Sequence, residues 1–351
     1  MPEVVVNCPH HCYGFTDKMQ AVDEEVLAAV CGWLEANRRC WLATVIETWG
    51  SSPRPVGSLF ACDETGSIAG SLSGGCVEDD LLEKLTSGEL ARDQAQYFQY
   101  GITAEETEKF GLPCGGSLHI VIEPLDPKPQ VQEHFARLRE AVHARRWIER
   151  RVELDTGRMA LREAHGHTPL RWEPAKRVLC HTLGPRHQLF IIGAGMVSKY
   201  LAELALKLDY QVRVCDPREH LLQDFGVPGV ILINDMPDDA VRAHASDPAS
   251  AIVALTHDPR IDDMGLMEAL TTEAFYVGAM GSSRTSASRR ERLRALDLSA
   301  AAIERLHAPI GLPIGSKTPP EIAIAIMAEI IAIRQHALTA AEAQLAEAAA
   351  G

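Results

Sequence analysis

Apolar residues recur at helical spacing over residues 21–39, where Val22, Val26, Leu27, Val30 and Leu34 share one face, and this predicts an amphipathic helix. The pattern changes at Trp41. From there to Trp49 the chain is rich in β-branched and aromatic residues and predicts a strand, broken by Pro53 and Pro55. Ser58 to Ser73 predicts two short strands around the turn Asp63-Glu64-Thr65-Gly66. After Gly74-Gly75, the residues Val77, Leu81, Leu82 and Leu85 fall on one helical face, so the glycines open a helix with Cys76 near its start. Residues 95–100 and 117–125 predict further strands, and 129–148 predicts a helix. RVELDTGRMALRE predicts a hairpin, and the stretch after it to about residue 187 lacks periodicity.

A second regime begins at Gln188. LFIIGAG predicts a buried strand, Met196 to Leu208 a helix, and QVRVCD a second strand, which together open a βαβ unit. The later runs VILIN, AIVALTH and FYVGAMG alternate with helical segments and predict a parallel, doubly wound sheet. A last helix starts at Thr318, where Thr-Pro-Pro-Glu offers an N-cap, a proline in the first helical position and a capping glutamate. The expected fold class is therefore α/β. Its expected organisation is an extension over 1–20, an α+β domain over 21–150, a linker and hairpin over 151–187, a Rossmann-like domain over 188–338, and a helical or frayed tail over 339–351.

At 351 residues two domains are expected. A net charge of −14 would repel a phosphate backbone and argues against nucleic acid as a partner. No stretch approaches the ~18 apolar residues of a membrane span, and the N-terminus lacks the pattern of a secretion signal. Nine cysteines, an odd number, point to free thiols in a reducing compartment, so a cytoplasmic location is expected.

Three motifs carry candidate chemistry. Gly193-Ala194-Gly195 follows a strand and opens a helix, and Asp216 ends the next strand, as in a dinucleotide fingerprint. The glycines would admit a phosphate to a helix N-terminus, and Asp216 would accept ribose hydroxyls. Ser73-Gly74-Gly75-Cys76 places a thiol beside a helix N-terminus, where the dipole lowers a thiol pKa. Pro113-Cys114-Gly115-Gly116 again couples a cysteine to paired glycines. Soft thiolates at Cys76 and Cys114 suit molybdenum, copper(I) or sulfur transfer, and no spacing supports zinc. His257, with Asp258, Asp262 and Asp263, falls at a strand C-terminus, where open α/β sheets hold ligands. Arg54, between two prolines, is a candidate phosphate clamp, whereas Arg284, Arg289, Arg290 and Arg292 are expected to solvate a helix face. Cys8, His10, His11 and Cys12 crowd the N-terminus, where metal binding would be adventitious.

The segments GSSPRPVGSLFACDETGSIAGSLSGGCVEDDL, FGLPCGGSL, FIIGAG with VCDPR, LTHDPRIDD, YVGAMGSSRT and APIGLPIGSKTPPEIAIAIMAEIIA resemble the XdhC/CoxI accessory proteins of molybdenum hydroxylases such as xanthine dehydrogenase. The resemblance spans nearly the whole chain. It implies a cofactor-insertion chaperone rather than an enzyme: one that binds the molybdenum cofactor (molybdopterin), supports its sulfuration with a cysteine desulfurase, and delivers it to an apo-hydroxylase. The family's Gly-Gly-Cys falls on Gly74, Gly75 and Cys76, and its Cys-Gly-Gly on Cys114, Gly115 and Gly116. Met196 departs from the common pattern, in which His is frequent there, as does the Cys/His-containing N-terminal extension. A homo-oligomer, a dimer, is expected. The alternative is an NAD(P)-dependent oxidoreductase built on the same Rossmann fingerprint, for which His257 is the one candidate base.

Overall fold

The structure, a computed structural model, describes residues 22–49, 54–72, 76–101, 117–165 and 167–350. Its first layer is a five-stranded antiparallel sheet in the order β3-β2-β1-β5-β4, with β1 at Cys40–Trp49, β2 at Leu59–Asp63, β3 at Ile68–Gly70, β4 at Gln96–Tyr100 and β5 at Ser117–Leu125. Helices cover both faces. Helices α1 (Val22–Glu35) and α3 (Pro129–His143) bury Val26, Leu27, Leu34, Phe135 and Leu138 against Leu42 and Leu59. On the other face α2 (Cys76–Thr86) buries Val77, Leu81 and Leu85 against Val45, Phe60 and Ile120. With both faces covered, β1 reads as a nearly continuous apolar run rather than an alternating one.

Helix α3 stops four residues short of Trp147, where the helical pattern predicted it to continue to 148. The reason is tertiary. Arg145 takes the left-handed conformation (φ 57°) and reaches away from the helix to Asp247 at 2.7 and 2.9 Å and to the Arg186 carbonyl at 3.1 Å. Trp147 then opens a strand. The predicted hairpin is present as β6 (Trp147–Glu153) and β7 (Arg158–Ala164). The segment without periodicity adds β8 (Arg171–Glu173) and β9 (Val178–Leu183), which complete an antiparallel sheet in the order β7-β6-β9-β8.

The parallel sheet has the order β12-β11-β10-β13-β14-β15, with β10 at Gln188–Ile192, β11 at Gln211–Cys215, β12 at Ile231–Ile233, β13 at Ser250–Ala254, β14 at Tyr276–Ala279 and β15 at Leu306–His307. This is the Rossmann order, with the switch point between β10 and β13. Helices α4 (Met196–Lys207) and α10 (Pro319–Ala350) share the core on one face. Helices α6 (Pro237–His244), α7 (Pro259–Ala269) and α8 (Ser283–Ala295) bury the other, and the short α5 (Glu219–Gln223) and α9 (Ala300–Glu304) complete the domain. The predicted capping glutamate operates: Glu321 accepts from the Thr318 N–H at 3.0 Å and the Lys317 N–H at 2.9 Å.

Candidate functional site

At the switch point the chain must turn sharply out of β10. Gly193 has φ 107°, and a Cβ there would lie 2.7 to 2.9 Å from Thr256, so the Gly193 backbone rests directly on the end of β13. Gly195 is the N-cap of α4, and a Cβ there meets nothing within 4 Å. The first turn of α4 therefore opens onto free space, beside a Met196 that is 57% exposed. His257 follows β13 on the facing side of the crevice, exposed and with φ 62°. Gly193, Gly195, Asp216 and His257 thus gather at one edge of the sheet.

Asp216 has a different job from the one its position predicts. It is fully buried, and both oxygens are taken: Oδ2 accepts from the Ala194 N–H and from Arg218 Nη2, each at 2.9 Å, and Oδ1 accepts from the Arg218 N–H at 3.0 Å and its Nε at 2.8 Å. Burial pushes the carboxyl up, but the hydrogen bonds from Arg218 and Ala194 outweigh it and hold Asp216 below the ordinary carboxylate range. Through these bonds the residue braces the Gly-Ala-Gly turn.

The acidic and basic residues flanking this crevice are also structural. Asp262 Oδ1 caps Thr256 through its N–H at 3.0 Å and its hydroxyl at 2.7 Å. The buried Arg289 binds Asp262 and Asp263 at 2.9 and 3.0 Å, Arg292 binds Asp263 at 2.5 Å, and Arg290 donates to the carbonyls of Ala308 and Leu306. Of the arginines expected on a solvated face, Arg284 and Arg292 are exposed, Arg292 also pairing with Asp263, whereas the buried Arg289 and half-buried Arg290 tie α8 to α7 and to the segment around β15.

In the antiparallel domain the topology gathers what the sequence disperses. The segment from Gly50 to Pro53 leaves the end of β1, the Gly-Gly-Cys segment follows β3, and the Cys-Gly-Gly segment precedes β5. Because β1 is antiparallel to both β2 and β5, and β2 to β3, all three leave one end of the sheet, and Trp49 pairs with Ser117 there. Cys76 is the first residue of α2, as its spacing predicts. Gly74, Gly75, Cys114, Gly115 and Gly116 lie outside the described residues, as does the side chain of Cys76. Glu78 of α2 accepts from Ser71 Oγ and the Leu72 N–H, each at 2.8 Å, which ties the residues after β3 to the helix.

A polar cluster that pattern reading missed occupies the same end. His119 Nδ1 stands 2.8 Å from the Tyr97 hydroxyl and 3.3 Å from Glu47 Oε2, and its Nε2 lies 3.2 Å from Ser117 Oγ. Glu47 also accepts from the Trp49 indole at 2.9 Å. Only register could have revealed this group, since Glu47 and His119 are direct cross-strand partners 72 positions apart in the chain (119 minus 47).

Arg54 lines a separate cleft of about 350 Å³, together with Ser71 of the antiparallel domain, Trp147 and His181 of the middle sheet, and Arg186 and Asp209 of the Rossmann domain. This cleft meets the N-terminal edge of the parallel sheet, while the Gly-Ala-Gly turn caps the opposite edge. The five residues of β10 separate the two, about 16 Å at the usual rise of a strand. The candidate residues therefore form two groups rather than one composite site.

Comparison with known proteins agrees with both halves. Residues 189–330 match the XdhC Rossmann domain, and residues 33–101 match the XdhC and CoxI family. The chain belongs to the XdhC/CoxI family. Among relatives of the family, a probable xanthine dehydrogenase subunit of Bacillus subtilis is 24% identical over 327 residues, spanning 86% of this chain and 96% of that protein. The molybdenum cofactor insertion chaperone PaoD of Escherichia coli is 25% identical over 311 residues, spanning 86% of each. A crystal structure of a xanthine dehydrogenase from Bacillus halodurans superposes with a TM-score of 0.68 at 25% identity, over 90% of this chain and 96% of that one.

Proposed function

We propose that this family member binds the molybdenum cofactor, supports its sulfuration with a cysteine desulfurase, and inserts it into an apo molybdenum hydroxylase of the xanthine dehydrogenase type. The observation that carries this reading is that β1 ends, β3 ends and β5 begins at one end of the antiparallel sheet, so the described residues flanking the segments of Arg54, Cys76 and Cys114 are neighbours there. Thiolates in these segments would suit a metal bound through sulfur. Among the described residues no cluster of three or more His, Cys, Asp or Glu could hold a metal ion. The name of the Escherichia coli relative points the same way. No described helix is long and apolar enough to cross a membrane. We place the protein in the cytoplasm, as a homodimer.

The oxidoreductase alternative is weakened by Asp216, whose oxygens are committed to Ala194 and Arg218 rather than to a ribose. The test is cofactor retention followed by transfer. Protein purified with the cofactor and denatured should release a fluorescent pterin, and it should activate apo-hydroxylase. Cys114→Ala should lower retention about tenfold with no change in melting temperature, since one weakened ligand of about 1.4 kcal/mol is a factor of ten. Retention by the variant at the wild-type level would make that loop structural, and substrate-dependent NADH formation by the wild type would favour the alternative.

A further inference from the structure

The cleft between the domains has the construction of a binding site. Trp147 and His187 line it, and their Nε1 and Nδ1 atoms are buried and have no hydrogen-bond partner among the described residues. Immediately behind His187, with ring centroids 5.9 Å apart, the hydroxyl of the fully buried Tyr210 is likewise without a partner. Buried polar groups are nearly always paired, and an indole N–H almost always finds an acceptor, so this concentration in one cleft wall asks for a ligand. The wall is also rigid. The Trp147 ring lies so close to Gly184 that a Cβ there would come within 2.0 to 2.4 Å of the indole carbons.

Charge is divided across the cleft. Arg54, Arg186 and Arg334 line it together with Asp23, Glu24 and Asp209. Arg186 is fixed by the Asp209 carbonyl at 2.6 Å and its carboxylate at 2.9 Å, and Arg334 lies over the Tyr210 ring at 5.4 Å. Fixed guanidinium groups match phosphate, and carboxylates match the adjacent N–H groups of an amino-oxo heterocycle. A ligand must carry both features to use both sides.

We propose that this cleft binds a phosphorylated 2-amino-4-oxo heterocycle of the pterin class, with its phosphate toward Arg186 and Arg334, its ring edge toward Asp23 and Asp209, and an acceptor atom at Trp147 Nε1. The proposal rests on the cofactor-handling reading above and gives that cofactor a seat distinct from the Gly-Ala-Gly turn. Ser71, two residues before the Ser-Gly-Gly-Cys motif in the sequence, borders the cleft.

Fluorescence quenching of neopterin monophosphate on titration with the full-length protein tests this directly. Saturable binding is expected, with free neopterin weaker and inorganic phosphate competing. Trp147→Phe keeps the ring and removes the N–H, and should weaken binding about tenfold, the loss of one hydrogen bond to a charged or strongly polar group. Arg334→Gln should weaken the phosphorylated probe and leave neopterin unchanged. Arg242→Gln, at an exposed arginine of α6 away from the cleft, should bind as the wild type does. Absence of saturable binding, wild-type affinity in both cleft variants, or loss of binding in Arg242→Gln would overturn the assignment. Cofactor retention by the wild type, measured in parallel, separates the two ideas: retention unchanged in Trp147→Phe rejects the cleft alone, whereas probe binding without cofactor retention rejects the proposed function alone.

Discussion

At the scale of single residues, the glycines of the Gly-Ala-Gly turn were legible and the aspartate was not. Gly193 is dictated by its backbone: its φ of 107° and its closeness to Thr256 leave no room for a side chain. Gly193→Ala should therefore destabilise the fold by about 2–4 kcal/mol, strain and overpacking acting together. Gly195→Val, with open space in front of it, should cost no more than about 1 kcal/mol, the loss of a tolerated N-cap. Urea unfolding of the two variants distinguishes them, and equal losses would contradict the view that Gly193 alone is fixed by its surroundings. Spacing identified Asp216 as the residue at the end of the second strand, but spacing cannot show that Arg218, two residues on, takes both of its oxygens.

At the scale of elements, the apolar pattern located the strands and helices wherever burial alone decides, as in β1, β10 and α4. It failed where a single polar contact decides. Arg145 ends α3 because its guanidinium is claimed by Asp247, 102 positions away, and no local pattern carries that information. The same limit hid the pairing of the two antiparallel sheets through Arg150 of β6, which binds Glu123 of β5 with two 2.8 Å hydrogen bonds, both residues nearly fully buried. Removing one partner of such a pair strands the other charge. Glu123→Ala should accordingly cost about 3–5 kcal/mol, while Glu123→Leu combined with Arg150→Met should recover most of the loss. Denaturation midpoints of the single and double variants test this, and a double variant no better than Glu123→Ala would show that packing rather than charge dominates the contact.

At the scale of the whole molecule, the seams between the sheets hold histidines in their neutral form, and this links assembly of the domains to pH. Burial, with neighbouring Arg150 and Arg137, pushes His134 down to about 3. Burial pushes His181 down to about 3, with Arg150 and His167 adding to the effect, and it pushes His187 to about 4, with Arg334 the next cause. Each group titrates near 6.5 in the unfolded chain, so the unfolded state binds more protons across the interval between the folded and unfolded values. Stability is then fully present above pH 6.5 and is lost as pH falls toward 4, by up to about 3 kcal/mol for His187 alone. Asp23 works in the opposite sense: burial and the charge of Asp209 raise it to about 6, so its contribution declines as pH rises from about 4 to 6. Burial raises Glu24, Asp209 and Asp262 in the same sense as Asp23, whereas Asp216, Asp247 and Glu329 are held low because their hydrogen bonds outweigh burial, and these act with the three histidines, so the melting temperature should fall between pH 6.5 and 4. His187→Gln should flatten that fall while leaving the melting temperature at pH 8 within a few degrees, and Asp23→Asn should steepen it. A pH profile identical in all three proteins would mean that the histidines at the seams are hydrated and free to protonate, and that the domain interface does not depend on keeping them neutral.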